Sequence, residues 1–316
     1  MSKLKVKPML AYNASKKPIT EIEYRQGIYV QPKLDGVRCL IQANVKRHLL
    51  TPDLNEIEVK AYSRTGKEFK NIDHILEQLV FYFKMYPNRV LDGELYNHEL
   101  KDDFEKIISL VRKTKPTDEH RKEAAEKIKF YCYDFIPEQE NEHYDFATRN
   151  AYIKNDFHTT PWAQQLEGLP HRSPSIEVLK YGLVYSKSHA EDLHKNNLST
   201  GYEGTILRKN ALYEQKRSYN LQKFKDFHDA EATIVGFVEG KGKRKGTLGK
   251  FLMIDSEGIR FGCPPGKGYN YKALRALLHR AQWYVDHKAT ATFTFFERTK
   301  ANSYRHPFFK CIRDYE

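Results

Sequence analysis

Cysteine is scarce in this chain. There are four among 316 residues, Cys39, Cys132, Cys263 and Cys311, and none belongs to a C-x-x-C pair. Neither a zinc cluster nor a disulfide framework is indicated, and the expectation is reduced thiols in a cytoplasmic setting. Long apolar runs are missing too. No stretch approaches the ~20 residues of a membrane-spanning helix, so no membrane partner is expected. The opening MSKLKVKPMLAYN is basic but has no apolar core, and no secretory signal is read there. Internal repeats and low-complexity linkers are also absent, which argues against a repeat array.

What the chain does have is positive charge. Lys and Arg number 53 against 41 Asp and Glu, a formal net charge of +12, with a pI near 9.2. The excess is uneven: from Ala230 onward there are 16 Lys and Arg against 8 acids, and in the first 229 residues 37 against 33. A basic, asymmetric chain points to a polyanionic partner, with an inert solvated face as the alternative. Hydrophobic content of 40% and aromatic content of 13% mark a globular protein. The length suits two domains, each with its own core.

Along the chain, Gly27–Pro32 reads as an extended run and CLIQANVKRHLL (39–50) as a strand, followed by VKAYSRTGKEF from Val59. At Asn71 the period changes to 3.6. Ile72, Ile75, Leu76, Leu79, Val80 and Phe83 predict one core helix, capped by Asn71 and stopped by Pro87. Further helices are predicted over 102–113, 145–158 and 189–198. Strands are predicted over 89–98, 129–137, 176–186, 201–209 and 220–227, with a charged surface connection containing some helix over 114–129. From Ala230 short strands surround a single predicted helix (271–283) and a glycine-lysine loop, GKGKRKG. That texture predicts a small β-barrel, so the expected domains are 1–229 and 230–316.

Five stretches of the first block set a charged or aromatic side chain beside a strand end or glycine turn. They are KLDGVR (33–38), SRTGKEF (63–69), LDGELY (91–96), YCYDF (131–135), and GYEGTILR (201–208) followed by LQKFK (221–225). Lys33 is a candidate covalent nucleophile. An ordinary lysine is neutral in only about one molecule in a few thousand at pH 7, so it needs cations or a metal nearby. Gly36 would let backbone approach a phosphate, and Arg38 would bind one in a fork. Lys223 and Lys225 alternate, share a strand face, and would supply positive field and bind a triphosphate. Alone they read as an exposed strand face. Glu94 and Glu203 flank glycine turns and together suit magnesium, which takes few carboxylates plus substrate phosphates. Tyr133 reads either as a core aromatic or as a platform for a nucleobase. Arg64 and Arg208 read as surface charges or phosphate ligands.

Taken in order, KxDGxR, SRxG, DGE, aromatic-Asp, EGxxxR and KxK resemble the covalent nucleotidyltransferase superfamily, and the whole chain resembles a compact ATP-dependent DNA ligase of bacteriophage or bacterial type. IVGFVEGKGKRKGTLGKFLM resembles the opening of the ligase OB-fold domain, and RHPFFKCIRD its final motif. The resemblance implies an α+β fold: a nucleotidyltransferase (adenylation) domain of antiparallel sheets and helices, then a small OB-fold β-barrel. It implies ATP and Mg²⁺ (or Mn²⁺) as cofactors and nicked duplex DNA as partner. It also implies a monomer working in the cytoplasm, the host's if phage-encoded, in DNA repair, replication or recombination.

It further implies roles. Lys33 would carry AMP, Gln31 would read the adenine edge, Tyr133 would stack on adenine, and Glu94 would hold the ribose. Arg38 and Arg64 would bind the nick 5′-phosphate and its surroundings as well as the nucleotide, with Arg38 also near the sugar. Glu203 would organise the metal with Glu94, while Lys223 and Lys225 contact the α-phosphate with Arg208 nearby. Arg305 and Arg313 would act on the pyrophosphate side. Lys241, Lys243, Arg244 and Lys245 are the expected DNA-backbone contacts, with a solvated hairpin turn as the plain alternative. Two departures stand out. The final motif reads Arg313-Asp314-Tyr315 without the family's lysine, leaving Arg305 or Lys310 as substitutes. Gln31 replaces a common glutamate, and its amide still accepts a hydrogen bond. No large N-terminal DNA-binding domain and no nicotinamide-binding extension is expected. Rival readings are an RNA ligase, a GTP-dependent capping guanylyltransferase, and a non-catalytic OB-fold nucleic-acid binder.

Overall fold

The computed structural model describes residues 4, 6–46, 56–137, 143–158, 175–224, 228–266, 268–299 and 302–313. The chain divides into two compact units, Met1–Phe224 and Lys225–Glu316. The strands of the first are β1 (Leu10–Asn13), β2 (Ile28–Lys33), β3 (Val37–Lys46), β4 (Glu56–Ser63), β5 (Val90–Tyr96), β6 (Lys129–Ile136), β7 (Ile176–Val178), β8 (Gly182–Val184), β9 (Gly204–Lys209) and β10 (Arg217–Phe224). They form two five-stranded sheets, ordered β1-β10-β9-β2-β8 and β4-β3-β5-β6-β7. Most pairs are antiparallel, as expected. Two are parallel, β1 with β10 and β6 with β7.

Each sheet buries one face, and strand alternation decides which side chains go there. In the first sheet Ile28, Val30, Val184 and Leu207 are buried with Ile19, Tyr24 and Ala190. Ala190 comes from the helix Lys187–Ser199, whose start is capped by the Ser186 hydroxyl. In the second sheet Val37, Cys39, Ile41, Leu91 and Leu95 join the largest core. The opposite faces are left for polar work.

Two predicted elements are corrected. The helix predicted from Asn71 is two short ones, Asp73–Gln78 and Val80–Met85. Asn71 does not cap it: its amide donates to the Leu110 and His120 carbonyls, a buried cross-link to other segments. The strand predicted over 176–186 is also two strands. β7 pairs with β6 and β8 with β2, so the segment between them crosses from one sheet to the other. A continuous apolar run carries no mark of such a crossing.

The second unit contains β11 (His228–Glu239), β12 (Leu248–Ile254), β13 (Arg260–Cys263), β14 (Thr290–Phe295), β15 (Glu297–Arg298), β16 (Tyr304–Arg305) and β17 (Phe308–Ile312). β11 begins two residues before the boundary expected at Ala230, because His228 already pairs with Phe295. Five strands form a sheet ordered β13-β12-β11-β14-β17. The helix Tyr271–Asp286, capped by Asn270, buries Leu274, Ala281 and Tyr284; Ala281 and Tyr284 join a core of Phe251, Met253, Phe261, Phe293 and Phe309. Beyond β13, the Phe309 N–H donates to the Pro264 carbonyl at 2.9 Å and the Gly266 N–H to the Phe309 carbonyl at 3.0 Å. These bonds join the segment after one edge strand to the other edge strand.

Candidate active site

Register places the polar face of the first sheet. Gln31 lies opposite Ile206, Lys33 opposite Gly204 and Tyr29 opposite Arg208. On the other side of β9, Lys223 lies opposite Ile206 and Leu221 opposite Arg208. Directly paired residues share a face, so Gln31, Lys33, Arg208 and Lys223 all lie on the face turned away from the Ile28–Val30 core. Lys225 lies outside the described residues, as do Asp314 and Tyr315.

Lys33 ends β2. Its ammonium bonds the Glu203 carboxylate, which is nearly buried at 6% exposure. The Glu203 N–H donates to the Lys33 carbonyl at 3.0 Å. The chain then turns at Gly36. This glycine is needed for close packing: a Cβ there would sit 2.4 Å from the Leu95 carbonyl oxygen and 2.8 Å from Glu94 Cγ. This close approach to β5 sets Glu94 beside the Lys33 turn.

On the second sheet Arg38 pairs with Glu94, and Leu40 with Asp92. Arg38 reaches diagonally and grips Asp92 in a fork, Nε to Oδ1 at 2.9 Å and Nη2 to Oδ2 at 2.5 Å. Its Nη1 donates to the Met9 carbonyl at 2.7 Å. Burial pushes the Glu94 carboxyl up to about 7, against the pull of the Lys33 and Arg38 charges. Lys33, Arg38 and Glu94 therefore share one electrostatic neighbourhood.

Tyr133 owes its place to a β-bulge. Asp92 pairs with Asp134 and Gly93 with Cys132, so Tyr133 is the extra residue. Before the bulge Phe130 and Cys132 face the core; after it Phe135 does, and Asp134 turns to the face of Asp92. The Tyr133 ring lies 5.8 Å from the Arg38 guanidinium carbon and 5.4 Å from that of Arg208. Asp134 is fully buried. It accepts from Arg149 Nε at 2.7 Å, from Arg208 Nη1 at 2.8 Å and from the Phe135 N–H at 2.9 Å. Arg208 also donates through Nε to Gln31 Oε1 at 2.8 Å. This chain of bonds ties β2 and β9 of one sheet to β6 of the other.

The structure thus gathers Gln31, Lys33, Arg38, Glu94, Tyr133, Glu203 and Arg208 about facing sheet surfaces. Arg64 lies in an exposed turn closed by Ser63, whose hydroxyl accepts from the Lys67 N–H at 3.0 Å. Arg305 lies over the Phe296 ring at 5.8 Å. Arg313 pairs with Glu231 at 2.7 Å, and Lys310 with Asp229 at 2.6 Å. Lys241, Lys243, Arg244 and Lys245 are exposed and have no ion-pair partner among the described residues. Their loop is built rather than slack: Thr247 is fully buried and its hydroxyl donates to the Arg244 carbonyl at 2.6 Å.

The sequence reading assigned no role to Asp92, Asp134, Arg149 or Tyr213. Two of them stand inside the quoted stretches, DGE and YCYDF. Arg149 lies on the helix Phe146–His158, where only a helix was expected, and a buried partner on another element leaves no local signal. As for metal, no group of three or more His, Cys, Asp or Glu side chains gathers among the described residues. Two carboxylates beside Lys33 fit a magnesium ion held mainly through phosphates, and they do not fit a protein cage.

Known proteins resemble the chain in sequence and in fold. The chain is 25% identical over 277 residues to the DNA ligase of Enterobacteria phage T4, covering 78% of this chain and 53% of that one. It therefore spans about half the length of that relative. The DNA ligase of Haemophilus influenzae is 26% identical over 251 residues, covering 79% of this chain and 75% of the relative. Among solved structures, a Lig E DNA ligase superposes with a TM-score of 0.69 at 23% identity, over 98% of this chain and 100% of that one. The ATP-dependent ligase of bacteriophage T7, in complex with ATP, gives 0.51 at 18% identity, over 98% of each chain. At these identities the structural likeness concerns the fold. The family model of the ATP dependent DNA ligase domain matches residues 8–225, more than half of the chain, and the chain belongs to that family.

Proposed function

We propose that this chain is an ATP-dependent DNA ligase that seals 3′-hydroxyl/5′-phosphate nicks in duplex DNA. The observation that carries the reading is the placement of Lys33. It ends a strand with its ammonium on the Glu203 carboxylate, and its charge, with that of Arg38, acts on the buried Glu94. In the first transfer the Lys33 amine attacks the α-phosphate of ATP, forming a P–N bond as the bond to pyrophosphate breaks. In the second, a nick 5′-phosphate oxygen displaces the lysine and takes AMP. In the third, the 3′-hydroxyl attacks that phosphate and AMP leaves.

The side chains suit three roles. Tyr133 offers a ring for the adenine, and Gln31, held by Arg208, borders it. Lys223 faces the α-phosphate, with Lys225 two residues on, and Arg38 and Arg64 serve the nick phosphate. Glu94 holds the ribose, and with Glu203 it would hold Mg²⁺ (or Mn²⁺), which supplies charge neutralisation for the phosphates when bound. The chain's own contribution is positioning and a preorganised field.

For the second unit we propose an OB-fold. The bonds from Pro264 and Gly266 to Phe309 support it, since they link the two edges of the five-stranded sheet. Its loop cations Lys241, Lys243, Arg244 and Lys245 would contact DNA backbone without reading sequence. Arg305 and Arg313 would serve the pyrophosphate side of the first transfer. The domains proposed are adenylation over 1–229 and OB-fold over 230–316, acting as a monomer. The direct test is ATP-dependent sealing of a nicked duplex by the purified chain, with full sealing expected. No sealing by a chain that does take up AMP would refute the DNA substrate.

A further inference from the structure

Four groups close a ring on the polar face of the second sheet. The Met9 N–H donates to the Tyr213 hydroxyl at 2.9 Å. The Tyr213 hydroxyl donates to Asp92 Oδ2 at 2.7 Å. Asp92 accepts the Arg38 fork at 2.9 and 2.5 Å. Arg38 Nη1 returns to the Met9 carbonyl at 2.7 Å. Met9 is 4% exposed and Asp92 1%. Tyr213 also packs on Leu40, Val90 and Ile136, which anchors its ring.

The ring fixes more than an ion pair does. A carboxylate alone lets a guanidinium rock about the fork. Here the second anchor, Nη1 to the Met9 carbonyl, stops that motion, and Tyr213 holds both the carboxylate and the Met9 backbone. Three of the five Arg38 N–H groups are spent in the ring. One hydrogen on each Nη has no hydrogen bond among the described residues, and the side chain stays 18% exposed. Those two hydrogens sit on a guanidinium held in a fixed direction, and paired guanidinium donors suit a phosphate.

We infer that Tyr213 is a positioning residue for the second transfer: through Asp92 and Met9 it aims the remaining donors of Arg38 at the 5′-phosphate of the nick. The inference rests on the ligase reading given above. It separates two steps. The first transfer uses Lys33 and ATP and does not need the nick phosphate held. The second does.

The test uses the full chain and resolves the steps. AMP uptake from ATP and Mg²⁺ is timed by intact mass. The purified AMP adduct is then mixed with nicked duplex and the loss of AMP from the protein is timed. For Tyr213→Phe, uptake stays within about twofold of wild type, which also reports a folded domain, while transfer to the nick slows about tenfold, the scale of one lost hydrogen bond to a charged group. Arg38→Lys slows the same step. Because lysine has no guanidinium to aim, Tyr213→Phe adds nothing further in the Arg38→Lys background. Equal slowing of both steps, no slowing, or full additivity in the double variant overturns the inference. Absence of any AMP uptake by the wild-type chain overturns the ligase reading, and this inference with it.

Discussion

Glu203 holds Lys33 twice: its carboxylate takes the ammonium, and its backbone N–H binds the Lys33 carbonyl at 3.0 Å. The second bond continues the β2–β9 ladder, in which Lys33 pairs with Gly204. Lys33, the proposed nucleophile, and its acidic neighbour are therefore placed by the sheet itself. Removing the carboxylate charge leaves the backbone arrangement intact.

Glu203→Gln consequently separates charge from position. The variant should fold and retain its melting temperature within a few degrees. AMP uptake by Lys33 should slow at least about tenfold, because the amide neither neutralises the site nor offers a carboxylate to the metal. A single-turnover uptake measurement checks it. An unchanged rate would remove Glu203 from the account.

Asp134 is buried between Arg149 and Arg208. Asp134→Asn leaves two buried guanidinium groups without their counter-charge, and the expected loss of stability is about 3 kcal/mol. Urea unfolding at neutral pH measures it. A loss under about 1 kcal/mol would mean the two arginines relax into solvent.

Glu23 shows the pH dependence of a surface cap. Its carboxylate is held down to about 2, first by the Lys209 ammonium and then by the Thr20 N–H, in the capping box of the helix Glu21–Arg25. A carboxyl lowered from 4.5 contributes stability that is full above about 4.5 and lost as the pH falls through about 2. Glu23→Gln should therefore cost about 1 kcal/mol at pH 7, and the gap from wild type should close between pH 4.5 and 2. Paired melts across that range check it. A gap that stays constant with pH would assign the stabilisation to packing.

The loop cations of the second unit are the proposed contacts to the nicked duplex. Lys243→Ala combined with Arg244→Ala should weaken binding at all sequences alike and reduce the slope of log affinity against log salt by about two. Fluorescence titration of a labelled nicked duplex at several salt concentrations measures the slope. An unchanged slope would return this loop to the solvated-turn reading.

Much of the site was legible because strand alternation is legible. Gln31 and Lys33 stand two apart, so one face carries both, and Glu203 sits just before the strand that pairs with them. The parts that stayed hidden depend on contacts far apart in sequence. The Arg38 fork on Asp92 joins residues 54 apart, and Tyr213 meets Asp92 across 121. The bulge at Tyr133 reverses alternation within one strand, and nothing in YCYDF announces it. The packing constraint on Gly36, the Leu95 carbonyl, was hidden because it belongs to another strand. The break between β7 and β8 was hidden for the same reason: the two halves are distinguished by their partners.

The central claim is that Lys33 carries AMP and passes it to a nick. The most direct measurement is an intact-mass spectrum of the chain after incubation with ATP and Mg²⁺, repeated after addition of nicked duplex DNA, with Lys33→Ala alongside. The account predicts the mass of one AMP on the wild-type chain, its loss when the nick is added, and no adduct on Lys33→Ala. An AMP adduct that persists on Lys33→Ala, or no adduct on the wild-type chain, would contradict it.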